Sequence, residues 1–108
     1  MQATKETNMA KQFTVVSLTP TTDSWIPGYM AAVPALIEKH GGKYLVRAMG
    51  PERIEGEPSD ADPAMIVILE WPSKDAESAF LSDPEYAPFH KARVDGAVNN
   101  AWSLPGLD

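Results

Sequence analysis

The segment at residues 64–71 limits the possible folds of this chain more than any other part of the sequence. It reads Ala-Met-Ile-Val-Ile-Leu-Glu-Trp and lies between a loop rich in Pro, Asp and Glu (residues 56–63) and the pair Pro72-Ser73. A short run of aliphatic and β-branched residues between such turn residues predicts a strand. A strand with one solvated face alternates apolar and polar residues, and this one does not. We therefore expect both of its faces to be covered.

The first part of the chain predicts a strand followed by a helix. Residues 13–18, Phe-Thr-Val-Val-Ser-Leu, are typical of a strand. A helix capped by Asp23 or Ser24 is then predicted to extend to His40. Its apolar residues recur at helical spacing at Ile26, Met30, Val33 and Ile37. Because this apolar stripe continues on both sides of Pro34, we expect the proline to bend one helix and not to divide it.

The middle of the chain predicts a second strand and a long loop. Gly41-Gly42 provides the left-handed stop that ends the first helix. Residues 43–49 follow as a strand, which we expect to resume through residues 53–55 after a bulge or bend. Residues 56–63 are predicted to form a solvent-facing loop of the hairpin that leads into the third strand.

The last part of the chain predicts two helical segments and a fourth strand. Ser73 is a candidate cap for a helix that ends near Leu81. The residues expected to face inward from it are Ala76, Ala79 and Phe80. Asp83-Pro84 has the cap-then-proline order of a new helix, which we expect to extend toward Val94. Residues 100–104, Asn-Ala-Trp-Ser-Leu, are predicted as the last strand.

This order of elements is β-α-β-β-α-β, which predicts a ferredoxin-like α+β protomer with an antiparallel sheet. Right-handed crossovers place the third strand between the first and the second, and the fourth strand beside the first. Both helical units then cover one face of the sheet. Since the third strand is apolar on both sides, a second copy of the chain is the simplest cover for the other face. We therefore predict a homodimer.

Length and charge narrow the class of protein. The chain has 108 residues, enough for one domain, which we assign to residues 11–108, with residues 1–10 as a disordered extension. The formal net charge of −6, from 9 basic against 15 acidic residues, argues against nucleic acid and anionic membranes as partners. There is no cysteine, no apolar stretch of membrane-spanning length and no signal-peptide pattern. We expect a cytoplasmic protein.

Several short motifs, taken in order, resemble a known family. They are His40-Gly-Gly-Lys-Tyr-Leu-Val-Arg47, Ile54-Glu-Gly56, Ile68-Leu-Glu-Trp-Pro-Ser73, Ala76, Ser82-Asp-Pro-Glu-Tyr86 and Arg93. Together they resemble the domain of unknown function family 1330, within the dimeric α+β barrel superfamily, over residues 13–106. The resemblance implies a ferredoxin-like protomer whose sheet packs against the sheet of a partner, and it implies no settled activity. Residues 96–100 and 103–106 depart from the smoother aliphatic last strand of that pattern, which leaves the register of this strand open.

Arg47 is the first candidate for ligand binding. It is a charged residue in a strand with apolar neighbours, and a buried arginine needs an anion. Its guanidinium suits a carboxylate ligand. A salt bridge to Glu55, Glu70 or Glu85 explains the residue equally well. Glu70, at the end of the third strand, is a candidate partner or general base.

A trio on one helix and a second histidine complete the candidate site. Tyr86, His90 and Arg93 are spaced to share one helical face, which either anchors the helix to the sheet or borders a cavity. His40 lies at a helix end, where an imidazole either interacts with the terminal carbonyls or lines a pocket. No cluster of metal ligands accompanies either histidine, and Asp60 with Asp62 supply too few oxygens for calcium. We predict neither a metal nor a cofactor.

These features leave two functions open. One is a small protein that binds or transforms an anionic or aromatic metabolite in a cavity between helices and sheet. The other is a non-catalytic dimeric structural or interaction module. The absence of a nucleophile–base pair favours the second, and arginine and histidine among apolar residues favour the first. Whether the chain is an enzyme is not decided by its sequence.

Overall fold

The computed structural model describes residues 10–107. Within them the chain forms four strands and three helices. These are β1 (Gln12–Pro20), α1 (Ile26–Lys39), β2 (Lys43–Met49), β3 (Met65–Trp71), α2 (Lys74–Leu81), α3 (Ala87–Gly96) and β4 (Ala97–Pro105). The extension expected at residues 1–10 lies, apart from Ala10, outside the described residues. No helix within residues 10–107 combines the length and the apolar character needed to cross a membrane.

The strands form one antiparallel sheet in the order β2-β3-β1-β4. This confirms the predicted ferredoxin-like topology, with β3 between β1 and β2 and with β4 beside β1. Side chains alternate between the two faces of each strand. In β3, Leu69 and Trp71 pack against helical residues, whereas Ile66, Ile68 and Glu70 lie on the helix-free face. The lack of alternation in β3 therefore corresponds to apolar residues on both faces.

The core consists of two apolar clusters on the helix-covered face of the sheet. The larger one contains Val33, Ile37, Leu69, Trp71, Phe80 and Tyr86. The smaller one contains Val16, Leu18 and Ala97. Val67 contacts both clusters. The two clusters hold α1 and the α2–α3 region against the sheet at different places.

Helix α1 begins later than its sequence suggested. Its N-cap is Trp25, and no side chain caps it, so the prediction that Asp23 or Ser24 does so is wrong. The Trp25 indole instead donates hydrogen bonds to the carbonyls of Thr22 at 2.8 Å and of Gly96 at 3.1 Å. Tertiary contacts with the end of α3 thus fix the start of α1. Pro34 lies within one uninterrupted helix, as predicted.

The end of α1 shows why two glycines follow it. Gly41 has φ +82°, and its amide bonds to the Glu38 carbonyl at 2.9 Å while the Gly42 amide bonds to that of Ile37 at 2.9 Å. These bonds form a Schellman motif, the predicted left-handed stop. A Cβ on Gly42 would lie only 2.5 Å from the ring of Trp71. Gly42 is therefore required by packing.

Other predicted boundaries need correction. No strand resumes through residues 53–55, because Arg53 pairs with Asp62 and folds this segment into the loop between β2 and β3. Strand β4 is longer than residues 100–104, since it pairs with the whole length of β1. Ala79 is exposed and does not face inward. Ser73 caps α2 as predicted, accepting a hydrogen bond from the Ala76 amide at 3.1 Å.

The Gly42 contact predicts opposite effects for two glycine-to-alanine substitutions. Gly42→Ala should lower the free energy of unfolding by about 1–3 kcal/mol, because the new methyl group overlaps the buried Trp71 ring. Gly28→Ala, inside α1 with nothing within 4 Å of its Cβ position, should raise it by about 0.4–1 kcal/mol. Urea denaturation measures both. Equal effects of the two substitutions would contradict the packing argument.

Candidate functional site

A cavity of about 370 Å³ lies between the helix-covered face of the sheet and the helices. Side chains from all four strands and all three helices line it. Most of the wall is apolar and includes Val16, Leu18, Ile26, Met30, Met65 and Val67. Residues of both core clusters contribute to it, so the cavity occupies the space between the clusters.

The ionisable groups that line the cavity are basic or phenolic. Arg47, Arg93 and His90 line it together with three tyrosines, and no aspartate or glutamate among residues 10–107 does. This contrasts with the net charge of −6 of the whole chain. The cavity is therefore a local site of positive charge in an acidic protein.

Arg93, on α3, is the buried cation of the site. The residue is only 8% exposed. Its Nη1 donates to Asn99 Oδ1 at 2.6 Å, and its Nη2 donates to the Tyr86 hydroxyl at 3.3 Å. Its Nε is buried and has no hydrogen-bond partner among the described residues. No carboxylate in residues 10–107 forms an ion pair with this guanidinium, so its charge is met by neutral acceptors alone.

Two tyrosines extend the network that begins at Arg93. The hydroxyls of Tyr29, from α1, and Tyr86 lie 3.4 Å apart, within hydrogen-bonding distance. Burial raises the pKa of Tyr29 far above its ordinary value, and the neighbouring Tyr86 raises it further. The Tyr29 hydroxyl is therefore protonated at neutral pH and available as a donor.

His90 lies one helical turn after Tyr86, and its ring stacks on the tyrosine with centroids 5.2 Å apart and planes inclined by 13°. Burial lowers the pKa of His90, and the positive charge of Arg93 lowers it further. The imidazole is thus neutral at pH 7. Neither ring nitrogen hydrogen-bonds to any part of the chain that the structure describes.

Arg47 reaches the cavity because of a β-bulge. The register of β2 against β3 shifts between Tyr44 and Val46, which leaves Leu45 without a partner. Beyond the bulge, Arg47 lies opposite Val67 and shares the helix-covered face with Tyr44. Its guanidinium carbon is 4.7 Å from the centroid of the Tyr44 ring, a cation–π contact. Arg47 is exposed, so it stands at the rim of the cavity.

The alternative explanation for Arg47, a salt bridge within the chain, is not observed. Glu55, Glu70 and Glu85 all belong to the described residues, and none of them pairs with it. Glu70 instead faces the helix-free side, where it pairs with Lys43 at 3.4 Å and with Lys11 at 3.5 Å. The predicted role of Glu70 as partner of Arg47 is therefore wrong.

His40 also lies away from the cavity. Its Nε2 is 2.7 Å from Asp83 Oδ2, and its ring packs edge-on against Phe80. Lys39 donates to the same carboxylate oxygen at 3.0 Å. These contacts tie the end of α1 to the turn between α2 and α3. Of the predicted site residues, Arg47, Tyr86, His90 and Arg93 meet at the cavity, and His40 and Glu70 do not.

Sequence reasoning missed a buried carboxylate next to the cavity. Glu77, on α2, is 2% exposed and accepts hydrogen bonds from Thr14 Oγ1 at 2.5 Å and from Ser103 Oγ at 2.6 Å. Trp71 donates to the same threonine at 2.9 Å, and Thr14 lines the cavity. The spacing of Glu77 three residues before the inward-facing Phe80 was the signal that could have placed it inside.

The ionisable residues do not gather in a metal-binding arrangement. Among residues 10–107, no group of three or more His, Cys, Asp or Glu side chains is placed to hold a metal ion. What the cavity brings together is an apolar wall, a buried guanidinium, phenol hydroxyls and a neutral imidazole.

Comparison with known proteins confirms the resemblance noted in the sequence. The family described as "Domain of unknown function (DUF1330)" matches residues 11–107. No curated protein matches the chain in sequence.

Several solved structures share the fold. A protein of unknown function from Rhodopseudomonas palustris is 21% identical, with a TM-score of 0.75 over 99% of this chain and 90% of that one. SnoaB, a cofactor-independent oxygenase from Streptomyces nogalater, is 17% identical, with a TM-score of 0.65 over 92% and 95% of the two chains. A dimeric ferredoxin-like protein of unknown function from Jannaschia is 16% identical, with a TM-score of 0.57 over 87% and 97%. At these identities the similarity establishes the fold alone.

The contacts of Asp83 predict how stability depends on pH. Hydrogen bonds from His40, from the Glu85 backbone and from Lys39 hold the pKa of Asp83 well below its ordinary value. A carboxyl with a lowered pKa stabilises the fold above its unfolded pKa of about 3.9, and this stabilisation fades as pH falls through the folded pKa. Asp83→Asn should therefore melt below wild type at pH 5, with a gap that narrows toward pH 2.

Asp95→Asn is the matched control for Asp83→Asn. Asp95 forms a salt bridge on the surface with Lys91, four positions earlier, and such exposed ion pairs contribute little to the stability of a fold. Its melting temperature should follow that of wild type at every pH. If the difference in melting temperature between the wild type and Asp83→Asn stays constant from pH 5 to pH 2, the assigned role of Asp83 is contradicted.

Proposed function

Since the chain belongs to the DUF1330 family, whose description assigns no activity, we propose its function from the cavity: the protein binds a small apolar anion with Arg93 as the counter-charge. The observation that carries this proposal is a buried guanidinium with only neutral partners and an unpartnered Nε. Arg47, Tyr86 and His90 complete the polar part of the site.

The electrostatics of Arg93 support an anionic ligand. Removal of a charge from water carries a penalty of several kcal/mol, which an opposite charge can offset. Asn99 and Tyr86 offer dipoles but no negative charge, and in the part of the chain that the structure describes no acidic side chain lines the cavity. A ligand carboxylate would supply both the missing charge and an acceptor for the free N–H, in the geometry that a guanidinium favours.

The walls of the cavity indicate that the rest of the ligand is apolar. Its volume of about 370 Å³ lies within the ordinary range of small-molecule sites, about 300–1,000 Å³. Aliphatic side chains and the rings of Trp25 and Tyr86 line it. An aromatic or branched aliphatic carboxylic acid combines these requirements.

We assign the inner contact to Arg93 and the outer one to Arg47. Arg47 was the first candidate from the sequence, but this residue is exposed, so water solvates its charge and an ion pair there contributes little to binding. It is positioned to attract an anion to the entrance. One structure of the same fold is a cofactor-independent oxygenase, which is compatible with small-molecule chemistry in a protein of this type.

Ligand-induced thermal stabilisation tests the assignment. A screen of aromatic and short-chain carboxylic acids should raise the melting temperature of the wild type, because a ligand at about 100 times its Kd adds about 2.7 kcal/mol to stability. Arg93→Met should abolish the shift, and Arg47→Met should only weaken it. The uncharged amides of the same acids are the ligand controls and should give no shift.

The melting temperature of Arg93→Met without ligand shows whether this variant is folded. A lost response to ligand can then be distinguished from a failure to fold. Arg93→Met removes an uncompensated buried charge, so its melting temperature without ligand should be at least that of wild type. A folded Arg93→Met protein that still responds to the acids would contradict the proposal. So would a wild type that responds to none of them.

We also propose that the helix-free face of the sheet is covered by a second copy of the chain. Large apolar side chains on this face are exposed, with Val98 at 61%, Trp102 at 55% and Leu104 at 43%. Trp102 lies beside Val15, which in turn lies beside Ile68, so the apolar surface continues across three strands. A similar structure, from Jannaschia, is described as dimeric. A homodimer would remove this surface from water.

Sedimentation equilibrium at micromolar concentration tests the dimer. The wild type should sediment at twice the 11.7 kDa of one chain. Trp102→Glu should give a monomer, because it places a charge within the exposed apolar surface of this face. Val94→Glu, at a residue 49% exposed on α3, is the matched control and should remain dimeric. A monomeric wild type, or a dimeric Trp102→Glu, would refute the proposed interface.

A further inference from the structure

We propose that the cavity also catalyses proton transfer at carbon: His90 removes a proton from the carbon beside the ketone of a bound apolar 2-oxo acid, and the Tyr29–Tyr86 pair stabilises the resulting enolate. This inference rests on the proposed function, because the carboxylate of the acid must first be held by Arg93. It adds a reaction to the proposed binding of an apolar anion, and it names a substrate class, the enolisable 2-oxo acids.

The hydrogen bonds of Tyr29 and Tyr86 leave one of their two hydroxyl protons free to bind a ligand. The Tyr86 hydroxyl accepts from Arg93 Nη2 and shares a hydrogen bond with Tyr29. Two hydroxyls carry two protons, and the bond between them uses one. Whichever tyrosine donates in that bond, the other O–H has no acceptor among the described residues. The site therefore offers a free O–H next to a guanidinium, which is the environment in which a developing oxyanion is stabilised.

The donors suit a 2-oxo acid better than a simple acid. A carboxylate can engage Arg93, whose Nε–H is unpartnered. The ketone oxygen of a 2-oxo acid is attached to the carbon next to that carboxylate, so it lies within reach of a hydroxyl that is itself bonded to Arg93. A plain carboxylic acid leaves the phenol proton unused.

His90 supplies the base. It lines the same cavity, and its ring stacks on Tyr86 with centroids 5.2 Å apart. Its ring nitrogens have no partner within residues 10–107, so one lone pair is available. Burial and the charge of Arg93 keep the imidazole in its neutral form, which accepts protons, at pH 7. On α3, His90 precedes Arg93 by three residues, so base and anion-binding group share one helical face.

The proposed step balances without any further reactant. The His90 lone pair takes the proton from the carbon beside the ketone. The C–H electron pair forms a carbon–carbon double bond, and the carbonyl pair moves to oxygen, which the tyrosine O–H holds. The imidazolium then returns the proton to the carbon, or to the oxygen to release the enol. No electron is lost or gained, and in D₂O the returned proton is a deuteron.

Deuterium exchange into phenylpyruvate measures this step. Its benzylic protons lie beside the ketone, and proton NMR in D₂O follows their loss. The non-enolisable probe is phenylglyoxylate, which has the same carboxylate, ketone and phenyl groups but no proton on the carbon beside the ketone. Binding of both acids is followed separately by thermal shift, so that binding and proton transfer are distinguished.

Wild-type protein should accelerate exchange above the buffer rate, and both acids should bind. His90→Gln should lower the enzyme-dependent rate by about 100-fold or more while it still binds phenylglyoxylate, because a general base typically contributes about 10²–10⁴-fold. The double variant Tyr29→Phe/Tyr86→Phe removes both hydroxyls and keeps both rings, so it should also slow exchange, whereas Tyr29→Phe alone still leaves the Tyr86 O–H free to donate. His40→Gln removes the imidazole outside the cavity and should exchange like wild type. Circular dichroism confirms that each variant is folded, and His90→Asn replaces His90→Gln if the latter is not.

The outcomes separate the two proposals. Binding of both acids without accelerated exchange overturns the proton-transfer inference and leaves the binding function intact. Exchange in folded His90→Gln at the wild-type rate overturns the role of His90. If neither acid binds, this inference is refuted, and the proposed function fails for aromatic acids.

Discussion

The indole of Trp71 joins several elements of this fold. It stands at the end of β3, is 1% exposed, and packs with its ring centroid 5.1 Å from that of Phe80 on α2. On its other side the ring lies so close to Gly42 that a methyl group could not fit. Its Nε1 donates to Thr14 on β1. The turn after α1, the end of α2 and two central strands are thereby fixed around one rigid group. Thr14, which bonds to this indole, also lines the cavity.

Several of these relations could be read from the sequence because they depend on local pattern. The apolar run of β3 predicted a strand inside the sheet, and Gly41-Gly42 predicted the end of α1. The helical spacing of Tyr86, His90 and Arg93 predicted that these residues share a face. Spacing alone could not predict that this face turns toward the cavity, because the position of α3 depends on a contact between Trp25 and Gly96, which are 71 residues apart.

The interpretation of Glu70 and Arg47 from sequence was limited by the dependence of side-chain direction in a strand on register. Glu70 was one of three candidate partners of Arg47, but it lies between Leu69 and Trp71 and therefore points to the opposite face from these two core residues. The alternation of side chains along a strand indicates this from the sequence. The bulge at Leu45 was not readable, because it is defined by the pairing of β2 with β3 and no turn residue marks it.

The bulge and the burial of Arg93 together explain how an acidic protein contains a basic cavity. Tyr44 and Arg47 are three residues apart, so in a regular strand they would lie on opposite faces; the extra residue at Leu45 brings both to the helix-covered face. There the charge of Arg47 rests on the Tyr44 ring at the rim, while Arg93 lies buried among tyrosines inside. A core selected only for stability would pair Arg93 with a carboxylate or replace it with an apolar residue. Within residues 10–107 Arg93 has no carboxylate partner, and the anionic ligand proposed above would supply the opposite charge.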